Sequence, residues 1–220
     1  MIRLLLIVLF SSFGCVISLL TENAGFSCMT KHSMRLNRAI HGRPQTTSPP
    51  FEFYFLDENG KETHYYEPGK SYTGRVYLYL FSIRLIGFIH YRGLIIQSRL
   101  ASESGYLIGL LKGGRFLETS DWKTYGVRLQ VCDKKTLDAD SVTHADDSRK
   151  FVTQVSWTAD RDVGAVQFMI TIAVEDEIYW ERWRPRSGFI LPISLREKPI
   201  NIANEVFIDE KQAFKNANTN

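Results

Sequence analysis

The feature that most constrains the fold is an unbroken alternation of apolar residues in one stretch of the chain. The apolar positions are Val166, Phe168, Ile170, Ile172 and Val174. Successive side chains of a β-strand point to opposite faces, whereas those of a helix repeat every 3.6 residues, so this spacing predicts a strand with one buried face. No window of eleven or more residues shows a helical period. The chain is therefore expected to be all-β.

Shorter segments with the same alternation, separated by turn-forming residues, cover most of the chain between Phe51 and Trp183. They predict strands at Phe51–Leu56, Thr63–Tyr66, Tyr72–Phe81, Gly93–Arg99, Tyr125–Cys132, Phe151–Trp157 and Tyr179–Trp183. About eight or nine short strands without helices between them are typical of an antiparallel β-sandwich. A length of 220 residues suits one such domain.

Both ends of the chain differ from this central region. Arg3 followed by the apolar run Leu4–Phe10 is typical of a secretory signal peptide, which we expect at residues 1–18 with cleavage after Ser18. The domain is then expected at 19–183, with an irregular segment before Phe51. Residues 184–220 lose the alternation and are expected to form a carboxyl-terminal tail. The product is expected to be secreted and extracellular.

A second apolar stretch, Tyr77–Ile96, has the length of a membrane span. It also contains Arg84, His90 and Arg92. Each central Arg costs about 2.5–3.5 kcal/mol on insertion scales, while each strongly apolar residue returns only about 0.3–0.6 kcal/mol. The stretch therefore predicts a pair of buried strands, and no membrane span is expected.

Charge and motifs exclude several classes of function. The net charge of +3 is too small for the electrostatic footprint of a nucleic-acid-binding domain. His144 and the neighbouring Asp146 and Asp147 resemble a base with carboxylates, but no activated nucleophile accompanies them. No phosphate-binding glycine loop or metalloprotease motif is present. We expect no enzyme activity, no cofactor and no bound metal.

Five segments, in order, resemble the reeler domain found at the amino end of reelin and of spondin-type matrix proteins. They are Cys28-Met-Thr-Lys-His32, Tyr65-Tyr-Glu-Pro-Gly69, Tyr91-Arg-Gly-Leu-Ile-Ile-Gln-Ser-Arg99, Cys132 with Val142-Thr-His144, and Trp157-Thr-Ala159 with Val166–Trp180. Three positions depart from the family pattern: Lys31 and Asp160 replace prolines, and Ile83–His90 is interpreted as an insertion.

The resemblance implies an immunoglobulin-like antiparallel β-sandwich in an extracellular protein. With one domain, the chain is most similar to the single-domain secreted invertebrate proteins of innate immune defence. The expected function is non-catalytic recognition of a microbial surface, a glycan or an extracellular protein. The alternative is a matrix or adhesion protein that binds proteins or glycosaminoglycans. No oligomeric state is assigned.

Two cysteines remain after signal cleavage, Cys28 and Cys132. An even pair in an oxidising compartment predicts a disulfide, and the resemblance pairs the same two residues. The alternative is a structural zinc bound by Cys28, His32, Cys132 and His144. The oxidising compartment favours the disulfide.

Arginines near aromatic residues form the candidate ligand surface. Arg92 and Arg99 flank a core strand, and Trp180-Glu-Arg-Trp183 precedes Arg184 and Arg186. The proposed surface consists of Arg92, Arg99, Arg182, Arg184 and Arg186, which would contact anionic groups while the aromatic rings stack on sugars. The alternative interpretation is ordinary strand solvation and core packing.

Overall fold

The fold is known from a computed structural model. It describes residues 26, 28, 33–72, 75–77, 80–118, 125–133, 135 and 137–197, with only the backbone at 70–72 and 75–77. The signal peptide expected at 1–18, the zinc-ligand candidate His32 and the tail from residue 198 onwards lie outside the described residues.

The described residues contain thirteen strands, one short helix α1 (Arg38–His41) and 3₁₀ turns at Arg186–Gly188 and Ile193–Leu195. The strands are β1 (Phe51–Leu56), β2 (Tyr65–Tyr66), β3 (Lys70–Tyr72), β4 (Arg75–Tyr77), β5 (Phe81–Tyr91), β6 (Gly93–Leu100), β7 (Arg115–Leu117), β8 (Val127–Gln130), β9 (Ser141–His144), β10 (Lys150–Thr158), β11 (Val166–Glu175), β12 (Ile178–Trp183) and β13 (Phe189–Pro192).

Two sheets form the sandwich. One has four strands in the order β1-β5-β10-β7. The other has seven strands, in the order β2-β13-β11-β6-β9-β8, with β12 also pairing with β11. Strands β3 and β4 form a separate hairpin. The pairing is antiparallel except between β13 and β2, which run parallel. The predicted all-β sandwich is confirmed, and the larger strand number arises because several strands have only two to four residues.

The core fills the space between the two sheets, because each contributes one alternating apolar face. The alternation in β11 is confirmed, since all five apolar positions from Val166 to Val174 are buried. Trp157 of β10 is fully buried and packs edge-on against Phe168 of β11, with ring centroids 5.7 Å apart. Its indole Nε1 donates to the carbonyl of Gly113 at 3.0 Å.

The main difference from the predicted strands concerns β5. The pair of buried strands predicted from Tyr77–Ile96 is confirmed as β5 and β6. The bounds differ, because β5 begins at Phe81, where the strand expected at Tyr72–Phe81 was to end. It runs for eleven residues to Tyr91 between β1 and β10, through the segment interpreted as an insertion. Ile83 and Leu85 are fully buried. Apolar residues on both faces of this strand obscure its period in the sequence.

Two other predicted strands also differ. The strand predicted at Thr63–Tyr66 is shorter: Glu62 and Thr63 contact the end of β1, and only Tyr65–Tyr66 is a strand, which pairs with β13 in the other sheet. In the strand predicted at Phe151–Trp157, the alternation would place Phe151 on the same face as the buried Trp157, yet the Phe151 side chain is 55% exposed. A register shift in β10 between Lys150 and Val152 changes its orientation.

The seven-stranded sheet continues beyond residue 183, where the sequence analysis expected strand structure to end. β13 pairs with β11 and is buried at all four positions. Its apolar residues face two clusters: Ile190 packs in the main core, whereas Phe189 and Leu191 pack with Ala165. A short strand that is apolar on both faces shows no alternation, so the sequence pattern did not identify it.

Candidate functional site

The amino-terminal strap, defined as Phe26, Cys28 and Ser33–Leu36, packs against the seven-stranded sheet. Cys28 and Cys132 form a disulfide with Cα atoms 5.3 Å apart. This separation lies inside the range of about 4.4–6.8 Å for natural bridges, and the predicted pairing is confirmed. Phe26 packs edge-on against His144, with ring centroids 5.7 Å apart. The bridge thus joins the strap to the chain just after β8.

Arg99, assigned to the candidate ligand surface, instead takes part in an internal hydrogen-bond network. Its Nη2 donates to the Gln97 side-chain oxygen at 2.6 Å and to the Ser33 hydroxyl at 2.9 Å, and its Nη1 donates to the Gly109 carbonyl at 3.0 Å. The Gln97 amide donates in turn to the Cys28 carbonyl at 3.3 Å. Burial and the nearby Arg182 lower the pKa of Arg99 to about 10, so it stays charged at neutral pH.

Arg182 belongs to the same buried contact between strap and sheet. Its Nε donates to the Ser33 carbonyl at 3.0 Å, and its backbone N–H donates to the Thr171 hydroxyl at 3.0 Å. The Thr171 hydroxyl donates to the Met34 carbonyl at 2.8 Å. Met34 and Arg182 both have positive φ, 68° and 56°. Non-glycine residues rarely adopt this conformation, and here Thr171 contacts the backbone of both.

The other three arginines differ in exposure. Arg92 pairs with Glu175 at 3.7 Å, and the same carboxylate is 3.2 Å from His90. Arg184 is half-buried, and burial lowers its pKa. Arg186 is exposed. The five arginines therefore do not form one exposed surface, because the guanidinium groups of Arg99 and Arg182 donate to the strap. Arg186 is the member that solvent reaches most freely.

The segment that resembled a base with carboxylates has a structural arrangement. His144 is buried and its Nδ1 lies 3.2 Å from the backbone N–H of Leu94, while burial lowers its pKa. Asp146 accepts instead from Ser148 and from the Lys150 ammonium, the latter at 2.9 Å. Lys150 is buried and also donates to the carbonyls of Asp146 and Ser148, at 2.8 and 2.9 Å. These contacts fold the β9–β10 loop around one ammonium group.

The zinc alternative does not fit this arrangement. Cys28 and Cys132 are oxidised to a disulfide, and zinc requires thiolate ligands. Across the described part of the chain, no three His, Cys, Asp or Glu side chains lie close enough together to hold a metal ion. In that same part, no helix is both long and apolar enough to cross a membrane.

A groove of about 350 Å³ lies at the free edge of β1, between the two sheets. Its main side chains are Glu52, Tyr54, Glu62, His64, Trp183 and Arg186. The sequence analysis identified Trp183 and Arg186 as a recognition motif but missed the other four. The outward positions of β1, Glu52 and Tyr54, follow from its alternation. Glu62 and His64 lie near the edge of β1 because of the path that the chain takes after the turn that follows β1.

Trp180, the other aromatic residue of the motif, lies in the interior. Its side chain is 7% exposed and its Nε1 donates to the Thr47 carbonyl at 2.9 Å. It packs edge-on against Phe51, with ring centroids 5.7 Å apart. Trp180 therefore stabilises the sandwich, and Trp183 is the tryptophan available to a ligand.

The fold is similar to three solved structures. Two are crystal structures of the human F-spondin reeler domain, with 15% and 16% identity and TM-scores of 0.45 and 0.44. They cover 69% and 70% of this chain and 94% and 97% of their own. The third, the Reelin-N domain of F-spondin, has 17% identity, a TM-score of 0.44 and coverage of 70% and 94%.

Comparison of the sequence with known protein families identifies one domain family for this chain. No curated protein matches the chain. The match to the reeler domain family runs over residues 28–190, from the first bridged cysteine into β13. Because this range covers most of the chain, the protein belongs to the reeler domain family.

Proposed function

We propose that this chain is a secreted, non-catalytic binding module of innate immune defence that recognises microbial or other anionic surfaces. The reeler domain, which matches residues 28–190, is an extracellular type of module. The Cys28–Cys132 bridge is consistent with an oxidising compartment. The observation that carries the proposal is the exposed Arg186 beside Trp183 at the edge of the sandwich.

Local charge, and not net charge, provides the attraction in this proposal. A net charge of +3 over 220 residues gives little long-range steering. An exposed guanidinium beside an indole combines charge-assisted hydrogen bonding with an apolar face. Arg99 and Arg182 are not part of this surface, because their guanidinium groups contact the strap.

The direct test measures binding of heparin and of lipopolysaccharide to the Arg186→Ser variant. We expect about a fivefold loss of affinity, the equivalent of one exposed charge pair, and a further loss as salt rises. Arg161→Ser, at another exposed position, is the matched control. Equal affinity of the two variants for both ligands would contradict a role for Arg186.

The biological role requires a separate measurement. A defence protein should rise in amount in body fluid after bacterial challenge. A constant amount confined to extracellular matrix would instead favour the adhesion function. Secretion itself is tested by amino-terminal sequencing of material from culture medium, where we expect a start within a few residues of Leu19 and where an intact Met1 would contradict it.

A further inference from the structure

The groove at the free edge of β1 has walls from three parts of the chain. β1 forms the floor, the residues after its hairpin contribute Glu62 and His64, and the end of β12 with the following turn contributes Trp183 and Arg186. Its volume of about 350 Å³ falls in the range of about 300–1,000 Å³ for small-molecule sites. The position between the edges of two sheets makes it reachable from solvent without movement of the core.

The free edge of β1 does not admit an added peptide strand. The Phe53 carbonyl accepts a hydrogen bond from the Ser187 hydroxyl, and the Phe55 carbonyl accepts one from the Thr63 backbone N–H at 3.0 Å. These contacts occupy the groups that an extended peptide would need for ladder pairing. The groove therefore suits a small ligand that contacts side chains.

Two carboxylates provide the strongest hydrogen-bond acceptors of the groove. The Tyr54 hydroxyl donates to one oxygen of Glu52 at 2.6 Å, which orients that carboxylate. Glu62 is close enough to act on the same phenol, since both carboxylates contribute to raising the pKa of Tyr54. Glu52 and Glu62 are both exposed, so their remaining lone pairs are available to hydroxyl donors of a ligand.

The opposite wall contributes an aromatic surface and hydrogen-bond donors. Trp183 is partly buried against the core, which holds its indole in place. Arg186 provides a fork of N–H donors. His64 lines the same groove, and its buried Nδ1 atom makes no hydrogen bond to any described residue.

We propose that this groove is a binding site for a neutral saccharide. A sugar ring presents several hydroxyl groups that both donate and accept, together with a C–H face that packs on an aromatic ring. The groove matches this chemistry with two carboxylates, an imidazole, a guanidinium and an indole. On the β1 side of the groove, Glu52 and Glu62 disfavour a sulfated or phosphorylated group, which leaves Arg186 on the opposite wall as the position for such a group. The groove shares Trp183 and Arg186 with the surface of the proposed function, but the carboxylates of Glu52 and Glu62 belong to the sugar site alone. The two proposals can therefore fail separately: one is tested by heparin binding to Arg186→Ser, and the other by neutral-sugar binding to the Glu52→Gln, Glu62→Gln variant.

The test is a titration of the full mature chain with chitotetraose and with cellotetraose, followed by amide chemical shifts in NMR spectra. We expect shifts confined to residues 52–54, 62–64 and 183–187. Affinity should be unchanged between low and high salt, because neutral ligands make no ion pairs. The absence of shifts for both sugars, or shifts centred elsewhere, would overturn the proposal.

A double variant, Glu52→Gln with Glu62→Gln, replaces both carboxylates by uncharged amides of the same shape and tests their role. Replacing two charged acceptors by amides should weaken sugar binding by about tenfold or more. Glu58→Gln, an exposed substitution in the adjacent turn, is the matched control, and equal melting temperatures show that all variants fold. Unchanged sugar affinity in the double variant would overturn the assignment.

A heparin tetrasaccharide and a glucosamine tetrasaccharide distinguish the other ligand classes. Shifts at residues 52–54 and 62–64 that are stronger with the heparin fragment than with the neutral sugars, and that increase in the double variant, would identify an anion site there and overturn the proposal. A preference for the cationic glucosamine chain that disappears at high salt would identify an amine site and overturn it equally.

Discussion

Arg99 of β6 donates from Nη2 to the Ser33 hydroxyl over 2.9 Å, although the two residues lie 66 positions apart in the chain. The same guanidinium contacts the Gln97 side chain and the Gly109 carbonyl. This one side chain therefore connects the amino-terminal strap, the central sheet and the β6–β7 loop. These hydrogen bonds give Arg99 a structural role.

Replacement of Arg99 by Met should destabilise the fold. The variant loses hydrogen bonds from a charged donor and leaves the Gln97 oxygen with fewer partners, so we expect the free energy of unfolding to fall by about 1.5–3 kcal/mol. Urea denaturation measures the change. Arg161→Met, at an exposed position, should change stability much less; equal losses in the two variants would contradict the network.

Loss of the disulfide should be more costly. The bridge joins cysteines 104 positions apart, and Cys28→Ser should lower the free energy of unfolding by about 2–5 kcal/mol. Mass measurement after alkylation without reductant gives an independent check. Unmodified Cys28 and Cys132 are expected in the native secreted protein, whereas two labelled thiols would show that the bridge is absent.

Gly114 lies where the backbone permits no side chain. Its φ is +83°, and an added Cβ would approach the Thr158 carbonyl to 2.6 Å and overlap the Trp157 ring. Gly164 has a similar φ of +81° but no atom within 4 Å of the same position. Gly164→Ala should thus lower the free energy of unfolding by only about 1–2 kcal/mol, because alanine disfavours the left-handed conformation. Gly114→Ala should cost about 1–3 kcal/mol more through overpacking, and thermal denaturation of the pair isolates that difference.

The Asp146–Lys150 contact should contribute to acid sensitivity. Hydrogen bonds from Ser148 and Lys150 hold the pKa of Asp146 at about 2, below its ordinary value of 3.8. Because the pKa is lower in the folded state, the unfolded chain binds more protons in this pH range. The stabilisation of the folded state by the Asp146 carboxylate is therefore present above about pH 4 and is lost as pH falls towards about 2.

The test of this contact compares Asp146→Asn with wild type. The variant should be less stable at neutral pH, and its stability should fall less steeply between about pH 4 and about pH 2. Urea titrations at stepped pH values measure both effects. Asp147→Asn, the exposed neighbour, should keep the wild-type slope. A wild-type slope in Asp146→Asn would mean that another carboxylate controls this range.

The predictions that held were those based on local patterns. The alternation from Val166 to Val174 identified β11 and its buried face, because strand periodicity is a property of a few consecutive residues. Phe51–Leu56 and the segment starting at Gly93 were identified for the same reason. The disulfide followed from cysteine number and compartment together with the family resemblance. None of these inferences needed knowledge of which segments meet in space.

The groove and the positions of the arginines were decided by tertiary structure. The sequence places Arg99 on an outward strand position and Arg182 in an aromatic-basic motif, which is how exposed recognition residues also look. Whether such a residue meets solvent depends on whether another segment covers that face. Here the disulfide and the Ser33 contacts bring the strap over Arg99 and Arg182 and leave Arg186 exposed. Likewise, Glu62 lines the same groove as Trp183 and Arg186 because distant parts of the chain come together there, which no local pattern records.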